Sequence, residues 1–127
     1  MTRINCIPVH MLSDKHLLAE HREIKRIPNC IAKGRYSMEW APSEYCMGKW
    51  HVKFFYDKVA YLYHRYEQLY RECRKRNFNI QNYTEAFSNI PASLCAKDWK
   101  PTQKDMLVNL ARLIEKDSEH YLQINFT

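Results

Sequence analysis

Between His51 and Arg76, apolar side chains return every three or four positions: Val52, Phe55, Val59, Leu62, Tyr66, Leu69 and Cys73. That step matches the α-helical repeat, so these side chains share one stripe. The stretch predicts a single helix of about 26 residues, roughly 39 Å long, which would be the spine of the domain. Asn77-Phe78-Asn79 closes it. A second periodic stretch follows Ser13 and Asp14, either of which can cap a helix. On a wheel, Leu17, Leu18, His21 and Ile24 fall together as a core face. Lys15, Arg22 and Arg26 form a narrow opposite stripe, with His16 and Glu23 beside it. This helix is expected to run to about Arg26 and stop at Ile27-Pro28, because proline has no amide hydrogen to donate. A third helix starts at Pro101-Thr102, with Thr102 and Asp105 spaced as a capping box and Met106, Leu107, Leu110, Leu113 and Ile114 as its apolar face.

The connections are irregular. The stretch 29–50 contains Gly34, Pro42 and Gly48 and reads as loops around one helical piece. Residues 80–100 read as loop with a short helix near Tyr83–Ser88. Residues 1–10 read as an extended arm, with Pro8 stopping any early helix. No period runs through 119–127. The expectation is an all-α fold: one compact domain over residues 1–127, three main helices, irregular loops and an extended N-terminal arm.

Composition sharpens this picture. At 127 residues the chain can bury a core without a covalent staple. Only two glycines argue against an all-β fold. The net charge of +6 suits a polyanionic partner, nucleic acid first and a membrane surface second, although charge alone is equally compatible with a merely soluble basic protein. Five scattered cysteines without a Cys-x-x-Cys pair predict free thiols in a reducing compartment and no structural zinc. No apolar run approaches the roughly 18 residues of a membrane span, and the opening lacks a signal-peptide pattern. A cytoplasmic or intracellular setting, including that of a viral protein in its host cell, is expected.

The candidate chemistry lies at the start of the chain. Glu23 is a carboxylate flanked by Arg22 and by Lys25-Arg26. Taken alone, such a group is a solvated charge worth little. An extended arm covers up to about 3.3 Å per residue and a helix about 1.5 Å, so the arm can fold back and bring its free end to Glu23. Removal of Met1, usual before a small residue, would free the Thr2 α-amine. Its ordinary pKa is about 7.7–8.0, and neighbouring Arg3 and Arg22 would lower it. A neutral amine can attack an electrophilic carbon while a carboxylate stabilises the cation or moves a proton.

Other groupings carry less. His16 and His21 with Cys6 and His10 lack zinc-helix spacing, so no metal is expected. Cys73 reads as a small buried hydrophobe. Arg65, Arg71, Arg74, Lys75 and Arg76 read as a basic end of the long helix, solvated or phosphate-facing. Tyr61, Tyr63, Tyr66 and Tyr70 read as packing, while Trp40, Trp50 and Trp99 take no role from sequence.

Several of these residues also stand in a wider pattern. Thr2-Arg3-Ile4-Asn5, His16-Leu17, Ala19-Glu20, Arg22-Glu23 and Arg26 open it. His51-Val52 and Phe54-Phe55-Tyr56-Asp57-Lys58 follow, then Glu72-Cys73, Lys75-Arg76 and Phe78-Asn79-Ile80. Ile90-Pro91, Ala111-Arg112-Leu113 and Glu115-Lys116 continue it. Together they resemble the phage pyrimidine-dimer DNA glycosylase family of the endonuclease V type. The resemblance implies an all-α DNA-repair enzyme with N-glycosylase and apurinic/apyrimidinic lyase activities. It implies Thr2 as nucleophile through an imino intermediate and Glu23 as catalytic acid. Arg3, Arg22 and Arg26, with His16 beside them, would be contacts to damaged double-stranded DNA. A monomer without metal or organic cofactor is implied. The sequence departs from the pattern in a shorter segment between Arg26 and His51, in Pro8 and His10, and in the tail His120-Tyr121-Leu122-Gln123-Ile124-Asn125-Phe126. These departures leave lesion preference open. The alternatives are a same-fold glycosylase for another damaged base and a non-catalytic DNA-binding protein.

Overall fold

Local sequence starts and stops most of the helices. The structure, a computed structural model, describes residues 2–95 and 97–124. Removal of Met1 and the last tail positions, 125–127, lie outside the described residues. Helix α1 spans Asp14–Glu23, with Ser13 at its N-cap accepting the His16 amide at 3.3 Å. Helix α6 spans Gln103–Lys116 behind a complete capping box: Thr102 Oγ1 accepts the Asp105 amide and the Asp105 carboxylate accepts the Thr102 amide. Among the described residues no strand occurs, and the fold is all-α.

Two expected boundaries move. Pro28 does not end the helical region; it lies in the first turn of a new helix, α2, Arg26–Ala32. The first amides of a helix have no intrahelical acceptor, so a proline there loses nothing. Helix α2 ends in a Schellman motif, where Gly34 at φ 71° donates to Ile31 and Arg35 to Cys30. The expected long helix is also two pieces: α3, His51–Phe54, and α4, Val59–Lys75. Between them Phe55 donates to Val52 and Lys58 to Phe55, tightening the chain into i→i−3 turns. The Lys58 ammonium caps the break, 2.9 Å from the Phe54 carbonyl. Phe54, Phe55 and Val59 all remain buried, so the apolar period survives the interruption. At the far end Asn77, at φ 65°, takes the left-handed position that terminates α4.

The expected helix near Tyr83–Ser88 is a 3₁₀ turn over Thr84–Phe87. Two short helices were not legible from periodicity: α5, Ala92–Cys95, and α7, Ser118–Tyr121. The second falls partly in the 119–127 stretch, through which no period runs. Tyr121 drives it, being fully buried.

The core gathers Leu17 of α1 and Ile24 at its C-cap, Leu62, Tyr66 and Leu69 of α4, Leu113 of α6 and Tyr121 of α7. The N-terminal arm runs through this core rather than over it: Ile4, Asn5, Cys6 and Ile7 are all buried. Arg65 corrects the reading of a basic helix end, for it is buried in the centre of the molecule. Arg76 is ion-paired with Glu72 and with Asp14, both at 2.9 Å. Cys6, Cys30, Cys46 and Cys73 are free thiols. No helix among the described residues is long and apolar enough to cross a membrane.

Candidate active site

The arm is positioned one backbone group at a time. The Ile4 amide donates to His51 Nε2 at 2.8 Å, and the Ile4 carbonyl accepts the Tyr45 hydroxyl at 3.0 Å. The Cys6 and Ile7 amides both donate to Asn109 Oδ1, at 2.7 and 3.2 Å. The Ile7 carbonyl accepts Arg65 Nη1 at 2.6 Å. These backbone groups are out of reach of water, so each needs such a partner. The clamps come from four places far apart in sequence: the loop at Tyr45, the start of α3, the middle of α4 and the middle of α6.

Behind the clamps lies a closed polar network. Asn109 Nδ2 donates to Asn5 Oδ1 at 2.7 Å, and Asn5 Nδ2 donates to Glu20 Oε1 at 2.9 Å. Glu20 in turn receives Arg65 Nε and Nη2 at 2.8 and 3.1 Å. Every member is buried. Such a network rigidifies the arm provided all its groups are satisfied.

In front of the network opens a small cavity of about 120 Å³. Arg3, Asn5, His16, Glu20 and Glu23 line it, with Ala19 and Leu113 as its apolar surface. Three of the six expected site residues meet here. Arg3, His16 and Glu23 share the cavity. Thr2 is linked through Arg26, whose Nη1 lies 3.5 Å from both Thr2 Oγ1 and Glu23 Oε1. Arg22 is exposed and outside the cavity.

The electrostatics keep the site's imidazole neutral. Burial, then the Lys15 and Arg3 cations, hold His16 below the usual histidine pKa. Its Nδ1 lies 2.6 Å from the Tyr121 hydroxyl, which also bonds Ser13. His51 is neutral for a second reason. Its Nδ1 must donate to the Cys46 carbonyl at 2.7 Å so that Nε2 can accept from Ile4. Burial lowers its pKa as well, with Arg3 and Arg112 adding to the effect. The Cys6 thiol, pushed up to about 12 by burial, is no nucleophile.

Sequence reasoning missed the supports. Asn5, Glu20, His51 and Tyr121 entered it only as parts of motifs or tail, and Asn109 did not enter at all. One signal was available for Arg65, which stands three positions after Leu62 and four before Leu69, inside the apolar seam of α4. Among the described residues no cluster of three or more histidine, cysteine, aspartate or glutamate side chains is arranged to hold a metal.

What the arrangement offers chemically is the start of the arm, at Thr2 and Arg3, held near a half-buried carboxylate, beside guanidinium groups and a neutral imidazole. In comparison with known families, the family model described as pyrimidine dimer DNA glycosylase fits residues 1–86.

Proposed function

Because the chain belongs to the pyrimidine dimer DNA glycosylase family, we propose that its DNA substrate is a duplex carrying a cyclobutane pyrimidine dimer and that Thr2 and Glu23 carry the reaction. The α-amine of Thr2, freed by removal of Met1, attacks C1′ of the 5′ nucleotide of the dimer. The nitrogen lone pair forms the new bond, and the electrons of the C1′–N1 bond leave with the base, which takes up a proton. Loss of a proton from nitrogen opens the sugar to an imine. Removal of a C2′ proton then expels the 3′ phosphate by β-elimination, which nicks the strand, and water hydrolyses the imine to release the enzyme.

Glu23 supports this reading by its place. It holds the cationic sugar and shuttles protons at the ring oxygen and at C2′. Arg3 and Arg26 bind the flanking phosphates next to the reacting sugar. Arg22, exposed on the same helix, binds the backbone farther out. His16 supports Glu23 as a neutral polar wall and contacts the DNA. Damage weakens stacking, so turning a nucleotide out costs less at a lesion, which gives selection without reading sequence. The enzyme works as a monomer.

The single observation that carries the proposal is the Thr2–Arg26–Glu23 relay at 3.5 Å on each side. The test is borohydride trapping on dimer-containing and abasic duplexes. The wild-type protein is expected to give a covalent adduct. Acetylation of the Thr2 amine is expected to abolish it on both substrates. Glu23→Gln is expected to lower strand nicking by at least about 100-fold, the usual worth of acid–base catalysis. An adduct that survives acetylation, or its absence in the wild type, overturns the assignment.

A further inference from the structure

A second surface carries its own chemistry. Arg35 and Tyr36 leave the glycine turn that ends α2, and Lys49, Trp50, Lys53 and Tyr56 lie along α3 and its flanks. Together they line a groove of about 440 Å³. Trp50 is 41% exposed. The ammonium groups of Lys49 and Lys53 both sit over its ring, at 4.9 and 5.4 Å from the centroid. Tyr36 meets Tyr56 edge to face at 5.7 Å across the groove.

The charge here is unbalanced. Arg35, Lys49 and Lys53 take part in no ion pair among the described residues. No carboxylate lines the groove. Of the acids near it in sequence, Asp57 is engaged by Lys58 at 3.0 Å and Lys97 at 3.3 Å, Glu44 lies 4.0 Å from Lys104, and Glu39 is outside the groove's lining. A solvated surface usually spreads its like charges apart, and α4 pairs its own with acids one turn away, Arg71 with Glu67 and Arg76 with Glu72. Here an indole face gathers two ammonium groups instead, and cation–π attraction offsets their repulsion. What the cluster lacks is an anion.

The groove is also tied to the candidate active site through the backbone. Trp50 directly precedes His51, and His51 holds the Ile4 amide next to Thr2 and Arg3. We propose that this groove is a second DNA-binding surface, taking backbone phosphates of the duplex beyond the lesion on Lys49, Lys53 and Arg35, with Trp50 as the platform that orders the two lysines. The proposal rests on the DNA reading of the chain but not on Thr2 or Glu23. It enlarges the footprint without adding sequence preference, since phosphate contacts position rather than specify.

The test measures affinity against salt concentration on two duplexes that carry a stable abasic-site analogue, one just covering the candidate active site and one extending well past it. On the long duplex Lys49→Glu with Lys53→Glu is expected to weaken binding at least tenfold and to make the log–log salt slope shallower by about two, near 0.9 for each lost phosphate contact. On the short duplex both proteins are expected to behave alike. Lys49→Glu alone, at an exposed position, is expected to lose about one unit of slope and guards against misfolding of the double variant. Trp50→Ala is expected to weaken long-duplex binding and to leave short-duplex binding as in the wild type. A long-duplex slope unchanged in the double variant overturns the proposal. So does loss of binding to phosphatidylserine vesicles with DNA binding intact, which would assign the groove to a membrane. A wild-type protein that gives no borohydride adduct yet shows the slope change sinks the catalytic assignment and supports this one.

Discussion

Glu20 and Arg65 form a two-pronged ion pair sealed within the protein, Nε to Oε2 at 2.8 Å and Nη2 to Oε1 at 3.1 Å, joining α1 to α4 across 45 positions. Burial would favour discharging the guanidinium, but the Glu20 carboxylate beside it outweighs this and holds Arg65 firmly protonated. Removing one partner leaves the other as a bare buried charge. Arg65→Met is therefore expected to cost about 3–5 kcal/mol of unfolding free energy, read from urea titration. Adding Glu20→Gln to that variant is expected to recover a large part of the loss. Equal stability of Arg65→Met and wild type would show that the pair is not dry.

Asn109 holds two arm amides on one oxygen. Asn109→Leu leaves both unpaired, a loss of about 1–3 kcal/mol for each buried group. Hydrogen exchange at Cys6 and Ile7 is expected to accelerate more than at the middle of α4. A uniform change along the chain would mean that the arm is held by burial alone.

Acid is expected to loosen the fold in a defined window. His21 stacks on Tyr66 and neighbours Tyr70 and Tyr83, its Nε2 unpartnered, and burial followed by the Lys25 cation lowers its pKa to about 4. A group whose folded pKa is depressed in this direction, toward the neutral form, takes its proton more readily when unfolded. Its stabilisation is thus present above about pH 6.5 and is lost as pH falls toward 4, on the order of 2–3 kcal/mol in all. His51, lowered in the same direction, adds to the loss, since a protonated ring can no longer accept from Ile4. His21→Phe is expected to flatten the stability profile between pH 4 and 6.5. A profile as steep as wild type's would put the titration elsewhere.

The capping box of α6 gives the simplest check. Thr102→Ala leaves the Asp105 amide without its side-chain acceptor and is expected to cost about 1 kcal/mol, or about 4 °C in Tm. No change in Tm would mean that water caps this helix equally well.

Local rules were legible where one residue decides the outcome. Ser13, Thr102 with Asp105, and Asn77 start and stop helices through their own side chains or backbone preference, and the sequence shows them. The wheel of α1 was also readable, because Leu17, His21 and Ile24 need only point one way. Continuity was not readable. An apolar period reports which side of the chain is buried, and Phe54, Phe55 and Val59 stay on that side across the break before α4. Pro28 misled for a related reason: its cost depends on whether it stands inside a helix or in its first turn. The front of the candidate site, Arg3, His16, Glu23 and Arg26, followed from reach and family pattern. Its back wall did not, since Asn5, Glu20, Arg65 and Asn109 meet through contacts of high sequence separation. A lone asparagine in α6 announces nothing until the arm lies against it.

The grip of Asn109 on Cys6 and Ile7 spans 103 and 102 positions, and this sets an order of events during synthesis. A growing polypeptide leaves the ribosome with the arm already out and α6 not yet made. Until α6 emerges, those two amides lack their partner, and the arm is not yet fastened. Burial of the arm thus belongs to the finished chain, not to the nascent one.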